Sequence, residues 1–138
     1  QEGAMLHTFE INDEQEDFTR PWFENSAYAD KITMHIGDAL DVIPRLGVKF
    51  DLAFIDGDKR KYAEYYEMVL EHLNDGGYIL ADNTLWDGHV LEPKPIKDPQ
   101  TRSIVEFNDM VAKDQRVEKV ILPLRDGLTI IRKKGANE

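Results

Sequence analysis

Two short runs of acidic and amide side chains stand where apolar segments end. Asp56-Gly57-Asp58-Lys59 follows Phe50-Asp51-Leu52-Ala53-Phe54-Ile55, and Asp82-Asn83 follows Gly77-Tyr78-Ile79-Leu80-Ala81. In an open α/β sheet, ligands gather in the crevice beyond the carboxyl ends of strands, so polar groups at two such ends converge although distant in sequence. Asp56, Asp82 and Asn83 offer hard oxygen donors suited to magnesium or calcium, with water and a ligand completing the shell. Manganese accepts similar donors. The competing reading is that Asp56 and Asp58 cap the following helix while Asp82-Asn83 only makes a turn. The two runs together favour a divalent-metal site with Lys59 beside it.

The elements that must position these residues alternate between strand and helix along the whole chain. That pattern predicts a mostly parallel sheet covered by helices. Strands are expected at Met5 to Ile11, Lys31 to Ile36, Asp51 to Ile55 and Tyr78 to Ala81, the third buried on both faces because it is almost continuously apolar. Asn12 is expected to cap a helix from Asp13, with Gln15 as the reciprocal partner, Phe18, Trp22 and Phe23 on its inner face, and Pro21 kinking or ending it. Gly37-Asp38 precedes a short helix carrying Leu40, Ile43 and Leu46. Tyr62, Tyr65, Tyr66, Val69 and Leu73 recur at helical spacing from Lys59 to Leu73, and Asn74-Asp75-Gly76-Gly77 stops that helix. A proline-rich loop from Asn83 to Pro99 reads as a functional lid. A last helix spans Arg102 to Lys113, and Arg125-Asp126-Gly127 joins an antiparallel pair, Val117 to Leu124 and Leu128 to Lys133.

Composition narrows the function further. The chain has 138 residues, 41% hydrophobic and 32% charged, which reads as one domain with a real core. A formal charge of −10 argues against nucleic acid, whose phosphates need a concentrated basic face. No apolar run approaches the ~20 residues that span a bilayer. There are no cysteines, hence no disulfide framework or thiolate chemistry, in keeping with a reducing compartment. These features lead us to expect a cytoplasmic protein.

Four separated stretches in order then resemble a known family. Phe50 through Lys59 with Tyr62, Gly76-Gly77, Asp82-Asn83-Thr84-Leu85-Trp86-Asp87-Gly88, and Leu122 through Ile130 look like the cation-dependent O-methyltransferases of the caffeoyl-coenzyme A and catechol type. The resemblance runs from about Leu6 to Lys134. It implies a Rossmann-like class I methyltransferase sheet, S-adenosylmethionine as cofactor, and methyl transfer to a hydroxyl of a catechol-like or vicinal-diol small molecule. By similarity, Asp56, Asp82 and Asn83 would hold the metal. A divalent ion that binds both oxygens of a diol lowers the pKa of the attacking hydroxyl. Lys59 would be the general base, a role aided because a nearby divalent cation disfavours its charged form. Glu10 would accept from the cofactor's ribose diol, Gly37, Asp38 and Ala39 would contact its adenine, and Asp56 would also border the cofactor. Asp58 and Trp86 would line the acceptor pocket, with His89 nearby. Without the resemblance, Glu10 is an ordinary strand-end carboxylate and Asp38 a helix cap.

The chain departs from the family pattern at its front. It starts about where the family's second strand starts, so the resemblance implies that a first, central strand and its glycine-rich turn are missing. Three arrangements would answer this: a fragment of a longer enzyme, a strand supplied by another chain, or direct pairing of the strands that would flank it. The fragment is favoured, with a homo-oligomer, most simply a dimer, covering the exposed edge. A second expectation follows for this chain alone, a metal-binding module that no longer takes up the cofactor. A third, a nucleotide-binding domain for a dinucleotide, is weakened by the absent glycine fingerprint.

Overall fold

All six expected strands are present, although the fourth starts at Leu73 rather than Tyr78 and the fifth ends at Leu122 rather than Leu124. The computed structural model describes residues 3–136 and 138, and the chain divides into two units, residues 1–47 and residues 48–138, each with its own sheet.

In the first unit, β1 (Leu6–Glu10) and β2 (Ile32–Ile36) are parallel, in register from Leu6 opposite Ile32 to Glu10 opposite Ile36. Helices α1 (Glu16–Glu24) and α2 (Ala39–Leu46) follow them. Asn12 does cap, accepting from the Glu14 amide at 3.1 Å, but the first turn, Asp13–Gln15, is 3-10. Its reciprocal partner is Glu10 rather than Gln15: the Asn12 amide donates to Glu10 Oε1 at 2.8 Å. Pro21 lies inside α1 without ending it. Proline removes only its own amide from the ladder, and the Pro21 carbonyl still accepts from the Asn25 amide at 3.1 Å. Phe18 and Trp22 are about 70% exposed, contrary to the expected inner face. They share a stripe at i, i+4, whereas Phe23, a third of a turn away, lines a hollow with Ile32 and Met34 of β2.

In the second unit, β3 (Phe50–Ile55), β4 (Leu73–Asp82), β5 (Val117–Leu122) and β6 (Leu128–Lys133) lie in the order β3-β4-β6-β5. β3 and β4 are parallel; β4–β6 and β5–β6 are antiparallel, as the turn at Arg125-Asp126-Gly127 required. Helix α3 (Tyr62–His72) follows a 3-10 turn at Lys59–Lys61, and α4 (Pro99–Lys113) starts three residues before its expected position. The earlier start is set by Asp98, whose carboxylate accepts from the Thr101 amide at 2.6 Å, with Pro99 at the first helical position where its missing amide costs nothing. Strand β4 absorbs the expected stop at Asn74–Gly77. It does so through an irregularity in its pairing with β3 between Phe50 and Leu52, and through Gly76 at φ +78°.

Helices α3 and α4 cover one face of this sheet. Tyr62, Tyr66, Val69 and Leu70 of α3 and Ile104, Phe107 and Val111 of α4 are buried with Ile79, Ala81 and Ile131. Phe107 meets the rings of Tyr62 and Tyr66 edge-on, at 5.4 and 5.9 Å between centroids. Each such side chain contributes about 1.5–3 kcal/mol on burial. The opposite face is not covered among the described residues: Leu52 and Phe54 are 59% and 60% exposed, so β3 is buried on one side and not on both. Within the first unit β1 is hydrogen-bonded to β2, and within the second β3 is hydrogen-bonded to β4. Among the described residues, no helix is long and apolar enough to cross a membrane.

Candidate functional site

The register of β3 against β4 brings the two acidic runs together. Ile55 pairs with Ala81, so Asp56 and Asp82 leave their strands side by side at the carboxyl ends. Lys59, one helical turn on, donates from Nζ to Asp56 Oδ1 at 2.9 Å and to the Tyr62 hydroxyl at 2.5 Å. The Tyr62 hydroxyl in turn donates to the Asp82 carbonyl at 2.8 Å and lies 3.2 Å from the Ile55 carbonyl. The Lys59 ammonium also stands 4.6 Å from the centre of the Tyr62 ring, a cation–π contact. Its side chain is 11% exposed, whereas Asp56 is 51% exposed and presents its carboxylate to solvent. Burial, reinforced by the carboxylates of Asp56 and Asp82, pushes the Tyr62 phenol well above its ordinary range. It is therefore a neutral donor.

The strand exit after Asp82 is held from three sides. Asn83 takes a left-handed conformation, φ +59°, tolerated by asparagine better than by most residues, and its amide donates to Asp82 Oδ1 at 2.8 Å. The amides of Thr84 and Leu85 donate to the carbonyls of Gly127 and Asp126 at 3.1 and 2.9 Å. Thr129 Oγ1 donates to Thr84 Oγ1 at 2.8 Å, and Asn108 of α4 donates to the Thr84 carbonyl at 2.7 Å. Trp86 and Asp87 then continue at φ +48° and +50°, a costly conformation for side chains of their size. Half-buried Trp86 packs against the core, and His89 is exposed, paired with Glu92.

Asp58 caps the turn at Lys59–Lys61, accepting from the Arg60 amide at 3.0 Å and pairing with the Arg60 guanidinium at 2.7 Å. The hydrogen bonds from Arg60 hold its carboxyl below the usual range. Tyr62 and Thr84 belong to the stretches that carry the resemblance but have no role assigned to them there, and Asn108 is not singled out. For Tyr62 a signal was available: Lys59 and Tyr62 stand at i, i+3, neighbours on one helical face. Nothing local in the sequence points Asn108 at Thr84.

In the first unit, Glu10, Gly37, Asp38 and Ala39 also meet at a strand end. The Gly37 amide donates to the Glu10 carbonyl at 2.8 Å, extending the β1–β2 ladder by one bond. Gly37 has φ +134°, and a Cβ there would stand 3.2 Å from Val42 Cγ2. Asp38 Oδ1 caps α2 by accepting from the Leu40 amide at 3.0 Å, and Ala39 is the first helical residue.

Two carboxylates and one amide oxygen are hard donors of the kind a divalent cation takes, and Lys59 is paired with one of them, Asp56. Among the described residues no group of three or more His, Cys, Asp or Glu side chains stands together in a way that could hold a metal.

Comparison with known proteins is consistent with this arrangement of strand ends. A family model described as O-methyltransferase matches residues 1–134. The chain is 37% identical to tricin synthase 2 of Oryza sativa subsp. japonica over 143 residues, covering 96% of this chain and 49% of the relative. It is 34% identical to caffeoyl-CoA O-methyltransferase 1 of Eucalyptus globulus over 145 residues, covering 96% and 57%. It thus spans about half the length of the curated relatives it matches. Among solved structures, an O-methyltransferase from Bacillus cereus in complex with SAH superposes with a TM-score of 0.89 at 26% identity, over 97% of this chain and 64% of that one. SAH-bound methyltransferase PaMTH1 of Podospora anserina gives 0.84 at 27%, over 96% and 62%. The fold is that of the class I S-adenosylmethionine-dependent methyltransferases, and the chain belongs to the O-methyltransferase family.

Proposed function

We propose that this chain carries the metal and cofactor residues of an S-adenosylmethionine-dependent, divalent-metal-dependent O-methyltransferase acting on a hydroxyl of a catechol-like or vicinal-diol small molecule. The observation that carries the reading is a chain of hydrogen bonds across adjacent strand ends: Lys59 Nζ donates to Asp56 Oδ1 and to the Tyr62 hydroxyl, which donates to the main-chain carbonyl of Asp82. Family membership supplies the reaction class, and the bound SAH in the Bacillus cereus structure supports the cofactor. One family model spanning both units supports reading residues 1–138 as a single methyltransferase domain.

In this reading Asp56, Asp82 and Asn83 hold the cation, magnesium, calcium or manganese. Once bound, the cation would act as a Lewis acid on a diol hydroxyl, and S-adenosylmethionine would supply the methyl group. Lys59, as the neutral amine, accepts the hydroxyl proton and becomes the ammonium, its nitrogen steered by Asp56 and by Tyr62. Glu10 accepts from the ribose diol, while Gly37, Asp38 and Ala39 receive the adenine at the start of α2. Asp56 borders both ligands, and Asp58 and Trp86 stand on the acceptor side. Much of the rate in such a transfer comes from positioning, the part that rigid strand ends supply. A cytoplasmic dimer remains our expectation for the protein at work.

A second reading has its own observation. β1 and β3 each have one hydrogen-bonded partner, so each leaves an edge of its sheet without a strand. A chain in that state could bind metal at Asp56, Asp82 and Asn83 and yet fail to take up cofactor. Calorimetric titration of S-adenosylmethionine into the 138-residue chain, with and without magnesium, separates the two. Micromolar binding supports the methyltransferase reading for this chain; metal binding with no cofactor uptake selects the metal-binding module.

A further inference from the structure

We propose that Tyr62 is a positioning residue of this site: its hydroxyl is a strut that fixes the Lys59 ammonium against the Asp82 end of β4. The inference rests on the metal-dependent reading above and assigns within it a residue that touches neither cation nor acceptor. Three observations carry it. Tyr62 is fully buried, 0% exposed, its ring packed among several core side chains and edge-on to Phe107, so the hydroxyl is held away from bulk water. That hydroxyl accepts from Lys59 Nζ and donates to the Asp82 carbonyl at 2.8 Å, with the Ile55 carbonyl at 3.2 Å. It therefore ties the last residue of β3, the last residue of β4 and the lysine of the connecting turn to one atom. Packing alone would be served by phenylalanine. The added oxygen is used entirely on backbone and side chains of the candidate site.

The consequence is geometric. A lysine side chain has four rotatable bonds, and an exposed carboxylate such as Asp56 is a weak restraint on it. The buried tyrosine removes that freedom, and it aligns the carbonyl of Asp82, whose side chain is a proposed ligand. Groups of this kind behind a metal site typically change metal affinity by about 10–100-fold when removed.

The test uses the 138-residue chain and two readouts other than turnover. Mn2+ binding is followed by electron paramagnetic resonance, and Lys59 Nζ by nuclear magnetic resonance of lysine-labelled protein, its signal assigned by loss in Lys59→Arg. Wild type is expected to bind Mn2+ and to show a slowly exchanging Lys59 ammonium. In Tyr62→Phe, which keeps the ring, the signal is expected to vanish and Mn2+ binding to weaken on the order of 10-fold. Phe107→Leu disturbs the same packing but keeps the hydroxyl; it is expected to lower thermal stability while leaving both readouts in place. Equal Mn2+ affinity and an unchanged Lys59 signal in Tyr62→Phe would overturn the proposal, as would equal loss of both in Phe107→Leu. If Tyr62→Phe does not fold, wild type still decides: a Lys59 ammonium that exchanges as fast as surface lysines contradicts the strut. If wild type binds no Mn2+ but the Lys59 signal depends on Tyr62, the metal reading fails and the strut stands.

Discussion

Asn108 in the middle of α4 donates its side-chain amide to the carbonyl of Thr84, 2.7 Å away, two residues beyond the Asp82 end of β4. A core helix thereby fixes the backbone that carries two proposed metal ligands. Leaving that carbonyl without its donor costs about 1–3 kcal/mol. Asn108 Oδ1 is itself buried and has no hydrogen-bond partner among the described residues, so removing the side chain also relieves a cost. Asn108→Ala is therefore expected to lose about 1 kcal/mol, at the lower end of that range. Urea unfolding checks this, and an unchanged midpoint would show that the Thr84 carbonyl does not depend on α4.

Gly127 stands against the same strand exit from the other side. At φ +85°, a Cβ on it would lie 2.5 Å from Leu85 Cγ and 2.7 Å from the Leu85 amide nitrogen. The backbone contact cannot give way without breaking the Leu85–Asp126 bond. Gly127→Ala is expected to destabilise by about 2 kcal/mol or more through strain and overpacking, a fall of several degrees in thermal midpoint. An unchanged midpoint would mean that the loop moves freely off the hairpin.

Asp114, 7% exposed, accepts from the Tyr66 hydroxyl at 2.8 Å and pairs with Arg116 at 2.7 Å. The Arg116 hydrogen bonds hold its carboxyl at about 2, below the ordinary 3.8. The folded value lies below the unfolded one, so the stabilisation is present in full above pH 4 and is lost as pH falls from 4 toward 2. The depression corresponds to roughly 2 kcal/mol. Asp114→Asn should be less stable than wild type by about that amount at pH 7, with the gap closing near pH 2. A gap of equal size at both pH values would assign it to packing instead.

Lys59→Met keeps much of the stem packed on Tyr62 and removes the ammonium. Methyl transfer by the active enzyme is expected to fall by about 10²–10⁴ in kcat, the range of a lost general base, with little change in acceptor KM. A loss confined to KM would make Lys59 a binding group.

Much of this architecture was legible because the local signals were strong. Asp38 before an apolar helix read as a cap, and Arg125-Asp126-Gly127 read as a hairpin; the structure has both. The convergence of Asp56 and Asp82 followed from strand ends of a parallel pair, a consequence of topology that needs no side-chain detail. What failed depended on partners distant in sequence. The extra residues of β4, Leu73 to Gly77, are strand only because Phe50 opposes Leu73 across an irregular register, while their own composition reads as a stop. Phe18 and Trp22 repeat at helical spacing, yet that spacing says nothing about which element would cover them. Tyr62 looked like a core tyrosine, and it is one; its spacing from Lys59 hinted at the lysine contact, but its bond to the Asp82 carbonyl follows only from the fold.

The central claim is that Asp56, Asp82 and Asn83 make methyl transfer depend on a divalent cation. It is tested most directly by the rate of transfer from labelled S-adenosylmethionine to a catechol-bearing acceptor as free magnesium is varied, for the enzyme and its Asp82→Ala variant. We expect a rate that saturates with magnesium and collapses on chelation in the wild type, and a rate reduced at least about 10-fold with the magnesium response shifted or abolished in Asp82→Ala. Equal rates and an equal magnesium response in the two proteins would contradict the account.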